Sequence, residues 1–136
     1  MKALVTGANG LIGANLLRAL LRKGHEAVGL VRASSDTQHI SSLPASLSIG
    51  DVRDMASLHA PMTGCEVVFH TAVHFSYWGH DPSDMQTTAL EGTRNVLTAA
   101  RAAGVRRVVM TSSSVTLGAG LDPVVRDETD VADPSD

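Results

Sequence analysis

The chain is poor in several things, and each scarcity excludes something. Cys65 is the only cysteine in 136 residues, so neither an intrachain disulfide nor a cysteine metal cluster can form. A single thiol fits a reducing setting, and a cytoplasmic location is the expectation. Only two lysines occur, Lys2 and Lys23, and the net charge is -3. That leaves no electrostatic case for nucleic acid or for an anionic membrane. No apolar run approaches the ~18 residues of a membrane span. No charged-then-apolar leader precedes the first strand, because structure is expected from Lys2 onward. Aromatics are equally few: Phe69, Phe75, Tyr77 and Trp78, all within ten residues of one another. Against these scarcities, 43% hydrophobic and 18% charged residues are ordinary for a globular protein. The length predicts one domain, residues 1–136, burying roughly two-thirds of its unfolded surface.

Glycine, in contrast, is concentrated where it carries meaning. Thr6-Gly7-Ala8-Asn9-Gly10-Leu11-Ile12-Gly13 follows the apolar run Ala3-Leu4-Val5 and opens an amphipathic stretch. A strand, a glycine turn and a helix start make a phosphate cradle. Gly7 permits the tight turn, Gly10 lets the backbone approach a pyrophosphate, and Gly13 lets the helix pack closely on the strand. Free N–H groups at the helix start then face the anion. Asn9, Leu11 and Ile12 complete the loop at the candidate cofactor site.

Strand and helix patterns alternate along the rest of the chain. Lys2–Thr6 reads as strand one and Gly10–Lys23 as a helix, with Leu16, Leu17, Leu20 and Leu21 at helical spacing. Gly24 is its expected stop. His25–Val31 is strand two. Ser35-Asp36-Thr37-Gln38 has the pattern of a capping box and predicts a short helix ending before Pro44. Ser46–Ile49 is strand three. Asp54 can cap a short helix that Pro61 and Gly64 limit. Glu66–His70 is strand four, with a Val-Val-Phe core that reads as fully buried. Ser83-Asp84-Met85-Gln86 is a second capping box, opening a long helix to about Ala103. Val105–Ser112 is strand five, and residues 121–136 read as polar loop. Such alternation predicts an α/β fold, a doubly wound parallel sheet of strand order 3-2-1-4-5, with ligands at the carboxyl ends of the strands.

Cofactor choice is written at the end of strand two. A site for NAD usually places an acid there, on the ribose 2′-hydroxyl. Here the residue is Arg32, followed by Ala33, Ser34 and Ser35. A guanidinium can pair with a 2′-phosphate or stack on adenine, and Ser34 and Ser35 can donate to phosphate, which favours NADP, with NAD as the alternative. Arg32 read as a solvated loop charge is the plainer possibility. After strand three, the Asp51 carboxylate in Gly50-Asp51-Val52 either accepts from an adenine amino group or serves a turn. After strand four, the small residues Thr71, Ala72 and Val73 leave room for a cofactor across the sheet edge. Strand five ends in hydroxyls, Thr111-Ser112-Ser113-Ser114, either at the place of chemistry or as turn caps.

Other constellations are weaker. His70, His74 and His80 lack a His-Glu-x-x-His pattern, so no metal site is expected. Ser113, a histidine and Asp122 form a triad only on paper, since no Gly-x-Ser-x-Gly elbow exists. Phe75, Tyr77 and Trp78 read as core, interface or the wall of a substrate pocket.

Taken together, five ordered segments resemble the extended short-chain dehydrogenase/reductase family, especially its dihydroflavonol-4-reductase-like reductases and its NAD-dependent epimerases and dehydratases. They are the 6–13 turn, Gly50-Asp51-Val52, Val68-Phe69-His70-Thr71-Ala72, Glu91-Gly92-Thr93-Arg94-Asn95-Val96-Leu97 and Arg107-Val108-Val109-Met110-Thr111-Ser112-Ser113. The resemblance covers the N-terminal half of such a protein. It implies a Rossmann-type domain and a nicotinamide dinucleotide partner. It implies a carbonyl or nucleotide-sugar substrate, and Ser113 as the serine that hydrogen-bonds the substrate oxygen. It also implies dimerisation through two helices per subunit, of which the 83–103 helix would be one and the other is absent. The family's tyrosine and its lysine four residues later are absent: Tyr77 is the only tyrosine, residue 81 is aspartate, and no lysine follows Lys23. The family's asparagine before Gly-Thr is replaced by Ala89. The tyrosine is expected just beyond Asp136 and the substrate domain farther on, leaving apolar surface exposed. Other readings are a non-catalytic dinucleotide-sensing module and an inactive structural fragment.

Overall fold

The computed structural model describes residues 1–73, 82–117 and 124–130. Five parallel strands form one sheet: β1 (Lys2–Thr6), β2 (Glu26–Val31), β3 (Ser46–Ile49), β4 (Val67–His70) and β5 (Arg107–Met110). Their order is β3-β2-β1-β4-β5, as the alternating pattern predicts. The chain reverses direction of winding at β1, because β1 pairs with β2 on one side and β4 on the other. In an open parallel sheet this reversal leaves a crevice at the carboxyl ends of those strands.

Two apolar layers hold the sheet, one on each face. On one face, α1 (Leu11–Arg22) buries Ala14, Leu17 and Leu20 against Ala3, Val5, Ala27 and Val31, with Ile40 joining from the following loop. On the other face, α2 (Met55–Met62) and α4 (Thr93–Ala102) bury Leu58, Met62, Val96 and Ala99 against Leu4, Val28, Leu30 and Val68. Alternate residues of β1 thus serve opposite layers, which is why the strand is apolar throughout. β5 is less protected: Val109 is 41% and Met110 54% exposed. No described helix is long and apolar enough to cross a membrane.

Several local expectations need correction. The Ser35–Pro44 segment forms turns and no helix. Ser35 Oγ accepts from the Arg32 N–H, and Asp36 Oδ1 accepts from Gln38 N, so neither caps a helix. The His39 carbonyl is taken by Arg18 Nη2 at 2.7 Å, and buried Ile40 anchors the loop on α1. The long 83–103 helix is interrupted. α3 (Pro82–Thr87) runs into a wide π turn, Thr88–Gly92, before α4, and Ser83 lies inside the first turn instead of capping it. Proline is favoured at a helix start because its missing N–H is unpaired there anyway. Phe69 is only partly buried, since it packs at the margin of the α1 layer. Pro61 lies within the last turn of α2, which ends one residue later. Asp54 does cap α2, accepting from Ala56 N at 3.0 Å. Strands four and five are shorter than read, beginning at Val67 and Arg107, and β5 ends at Met110. His74, Phe75, Tyr77, Trp78, His80 and Asp122 lie outside the described residues.

Candidate functional site

The β1–α1 turn is built by glycine sterics. Gly7 has φ +65°, and a methyl group on it would sit 2.8 Å from the Ala72 Cα. A methyl on Gly13 would overlap the Gly7 carbonyl oxygen, so the helix can approach the strand only without a side chain there. Gly10 differs. A methyl on it would meet only the Gly7 oxygen at 3.3 Å, so the fold itself asks little of this position. The space beside it is open to something else. Gly10 N–H donates to the Gly7 carbonyl, and His39 Nε2 donates to the Asn9 carbonyl at 3.0 Å, which holds the loop from its outer side.

α1 starts at this turn with Gly10 as its N-cap. No side chain caps it, and its first turn holds no acidic residue. The first amides of a helix have no intrahelical partner and carry the positive end of the dipole. Here they open on a groove of about 400 Å³ lined by Gly7, Asn9, Gly10, Leu11, Ile12 and Gly13, then Arg32, then Asp51, Val52 and Arg53, and on the other side Thr71, Ala72, Val73 and Thr88. Leu11 and Val73, apolar yet 83% and 70% exposed, stand at its lining.

Of the residues singled out in the sequence, twelve therefore converge: Gly7, Asn9, Gly10, Leu11, Ile12, Gly13, Arg32, Asp51, Val52, Thr71, Ala72 and Val73. Ser35 does not line the groove, but its hydroxyl holds the Arg32 backbone N–H at 3.2 Å. Ser113, too, is not among the lining residues. It is exposed at the end of β5, and its carbonyl accepts from Thr116 N and Oγ1. Among the described residues there is no cluster of histidine, cysteine and acids fit to hold a metal.

Electrostatics concentrate at the β2 and β3 ends. Asp51 forms a bidentate pair with Arg53, with Nη2 at 2.9 Å from Oδ2 and Nε at 3.2 Å from Oδ1. The Arg53 guanidinium, reinforced by the Arg53 N–H and by the charge of Arg32, holds the Asp51 carboxyl below the usual carboxylate range despite its partial burial. Asp51 also makes a turn, accepting from Arg53 N. Arg32 is exposed, and among the described residues it makes no salt bridge.

Sequence reading missed Arg53, Thr88, His39 and Asn95. Arg53 follows the Asp51-Val52 pair directly and could have been weighed as its partner. Asn95 stands in one of the five segments that carry the resemblance, though nothing there gave it a role; Thr88 and His39 come from segments with no local signal. Beneath the groove lies one more buried group: His70, 3% exposed, with Nδ1 at 2.8 Å from Thr6 Oγ1 and Nε2 at 3.2 Å from Thr93 Oγ1.

With this geometry in view, comparison with known proteins is consistent across sequence and fold. The NAD dependent epimerase/dehydratase family matches residues 3–135. A Synechocystis sp. protein named as a putative dihydroflavonol 4-reductase is 42% identical over 124 residues, 91% of this chain and 36% of that protein. The crystal structure of gox2253 superposes with a TM-score of 0.90 at 39% identity, covering 98% of this chain and 40% of the other. A Thermus thermophilus UDP-glucose 4-epimerase, solved in complex with NAD, superposes with a TM-score of 0.88 at 26% identity over 98% of this chain and 45% of that one. The chain thus spans between about a third and just under half the length of these relatives.

Proposed function

The chain belongs to the NAD dependent epimerase/dehydratase family, and from that premise we propose that it is the NADP-binding portion of an oxidoreductase of the reductase, epimerase or dehydratase type. The substrate of the whole protein is a carbonyl compound or a nucleotide-sugar, and residues 1–136 are part of its dinucleotide-binding domain. One observation carries the reading. α1 begins uncapped on Gly10 at a groove whose far side holds an arginine where an NAD site would place an acid.

In this reading the α1 amides and the 7–13 loop receive the pyrophosphate. Arg32 pairs with the 2′-phosphate, supported by Ser35, which orders the Arg32 backbone. Asp51 and Val52 take the adenine, with Asp51 kept ionised by Arg53. Thr71, Ala72 and Val73 line the cofactor's passage across the sheet edge. The chemistry a bound nicotinamide supplies is hydride transfer. Ser113 stands at the carboxyl end of β5, where it would donate to a substrate oxygen.

Titrating the 136-residue chain with NADPH and NADH tests the proposal. Saturable binding with NADPH tighter is the expected result. Tighter NADH overturns the assignment of Arg32, and no saturable binding of either overturns the nucleotide site.

A further inference from the structure

The groove wall at Asp51–Arg53 is a loop, and loops hold geometry only when something fixes their backbone. Here α4 does so. Asn95 Nδ2 donates to two consecutive carbonyls, Val52 at 3.0 Å and Arg53 at 3.1 Å. Both protons of the carboxamide nitrogen are thereby used. One turn earlier, Gly92 presents bare backbone to the same loop. A methyl on it would lie 2.7 Å from Val52 Cγ2. Gly92, Asn95 and Val96 are spaced to share one helix face, and Val96 is fully buried in the layer that also contains Val52. The π turn ends at Gly92, and its first residue, Thr88, lines the groove. Such wide turns shift the helix face they feed.

We propose that Asn95 is a positioning residue for the adenine end of the dinucleotide. It touches no ligand. By pinning the Val52 and Arg53 carbonyls it sets where the Val52 side chain and the Asp51–Arg53 pair stand in the groove. The inference rests on the nucleotide-binding reading above.

The test compares ligands that reach this wall with one that does not. Adenosine 2′,5′-bisphosphate spans the adenine end, whereas inorganic pyrophosphate occupies only the glycine cradle. Asn95→Asp keeps the shape but puts an acceptor against two carbonyls. It is expected to weaken adenosine 2′,5′-bisphosphate and NADPH about ten-fold, the scale of one lost hydrogen bond, with pyrophosphate binding unchanged. Affinities are measured well below each variant's melting temperature, so that a purely structural loss does not register. Asn95→Ala serves where Asn95→Asp fails to fold. In the wild-type chain, the Asn95 carboxamide proton resonances should shift with adenosine 2′,5′-bisphosphate and not with pyrophosphate. Equal affinities in wild type and variants, equal weakening of all three ligands, or unmoved resonances overturn the role of Asn95 alone. Failure of the wild type to bind NADPH or NADH overturns the nucleotide reading and this inference with it.

Discussion

Thr6 Oγ1 and His70 Nδ1 lie 2.8 Å apart, side by side on paired strands and both buried. Thr6 Oγ1 already accepts from Ala72 N at 3.2 Å, and Thr71 Oγ1 donates to the Thr6 carbonyl at 2.7 Å. Among the described residues the Thr6 hydroxyl has Nδ1 as its acceptor, and the tautomer that satisfies both groups carries the imidazole proton on Nε2, toward Thr93. A neutral ring therefore ties β1, the 71–72 wall of the groove and α4 together.

Protonating that ring would set a second donor against the Thr6 hydroxyl. Burial already pushes the His70 pKa down in the folded chain. As pH falls below about 6.5, the unfolded chain gains a proton there that the folded chain refuses. This contribution is present above that pH and lost as pH drops through the folded value. Urea midpoints are expected to fall between pH 7.5 and 5, and His70→Asn should flatten that slope. An unchanged slope would remove His70 from the account.

Gly13 and Gly10 separate folding from binding. Gly13→Ala forces a methyl into the Gly7 carbonyl and is expected to cost about 3 kcal/mol by overpacking, read in urea melts. Gly10→Ala meets only one oxygen at 3.3 Å. Its stability should stay within roughly 0.5 kcal/mol of wild type, while NADPH affinity falls because the methyl occupies the cradle. Equal losses of stability at the two positions would contradict this division.

Arg32→Ala removes the cation from the β2 end of the groove. Charge-assisted hydrogen bonds contribute about 1.5–3 kcal/mol, so NADPH should weaken by roughly ten-fold or more. NADH, without the 2′-phosphate, should change little. Calorimetric titration of the two cofactors decides it, and parallel losses would indicate a role in folding the loop.

Leu90 in the π turn and Leu97 in α4, both within the interrupted 83–103 segment, are 59% and 49% exposed. We propose that this segment pairs with its copy in a homodimer. Sedimentation velocity should show a dimer at high concentration for the wild type and a monomer for Leu97→Glu. A wild type that stays monomeric throughout rejects the interface.

Most of the architecture was readable because strand and helix periodicities are local. The apolar run 3–5, the leucine spacing of α1 and the Asp54 cap each declare an element within a few residues. The failures share one cause. Ser35-Asp36-Thr37-Gln38 has the composition of a capping box, yet the Arg32 N–H claims the Ser35 hydroxyl and Arg18, from α1, claims the carbonyl of neighbouring His39. The 83–103 segment has a helical pattern throughout, but nothing local marks the π turn at Thr88–Gly92.

By itself the sequence determined the alternation of strands and helices, the glycine turn and the arginine at the β2 end, since each depends on residue type at short spacing. Tertiary structure alone decided which residues share the groove. Packing brought Thr88 and Asn95 to a loop some forty residues earlier. It left Ser35 and Ser113 off the lining. Propensity and periodicity act through neighbours in the chain, whereas a binding site is assembled by neighbours in space.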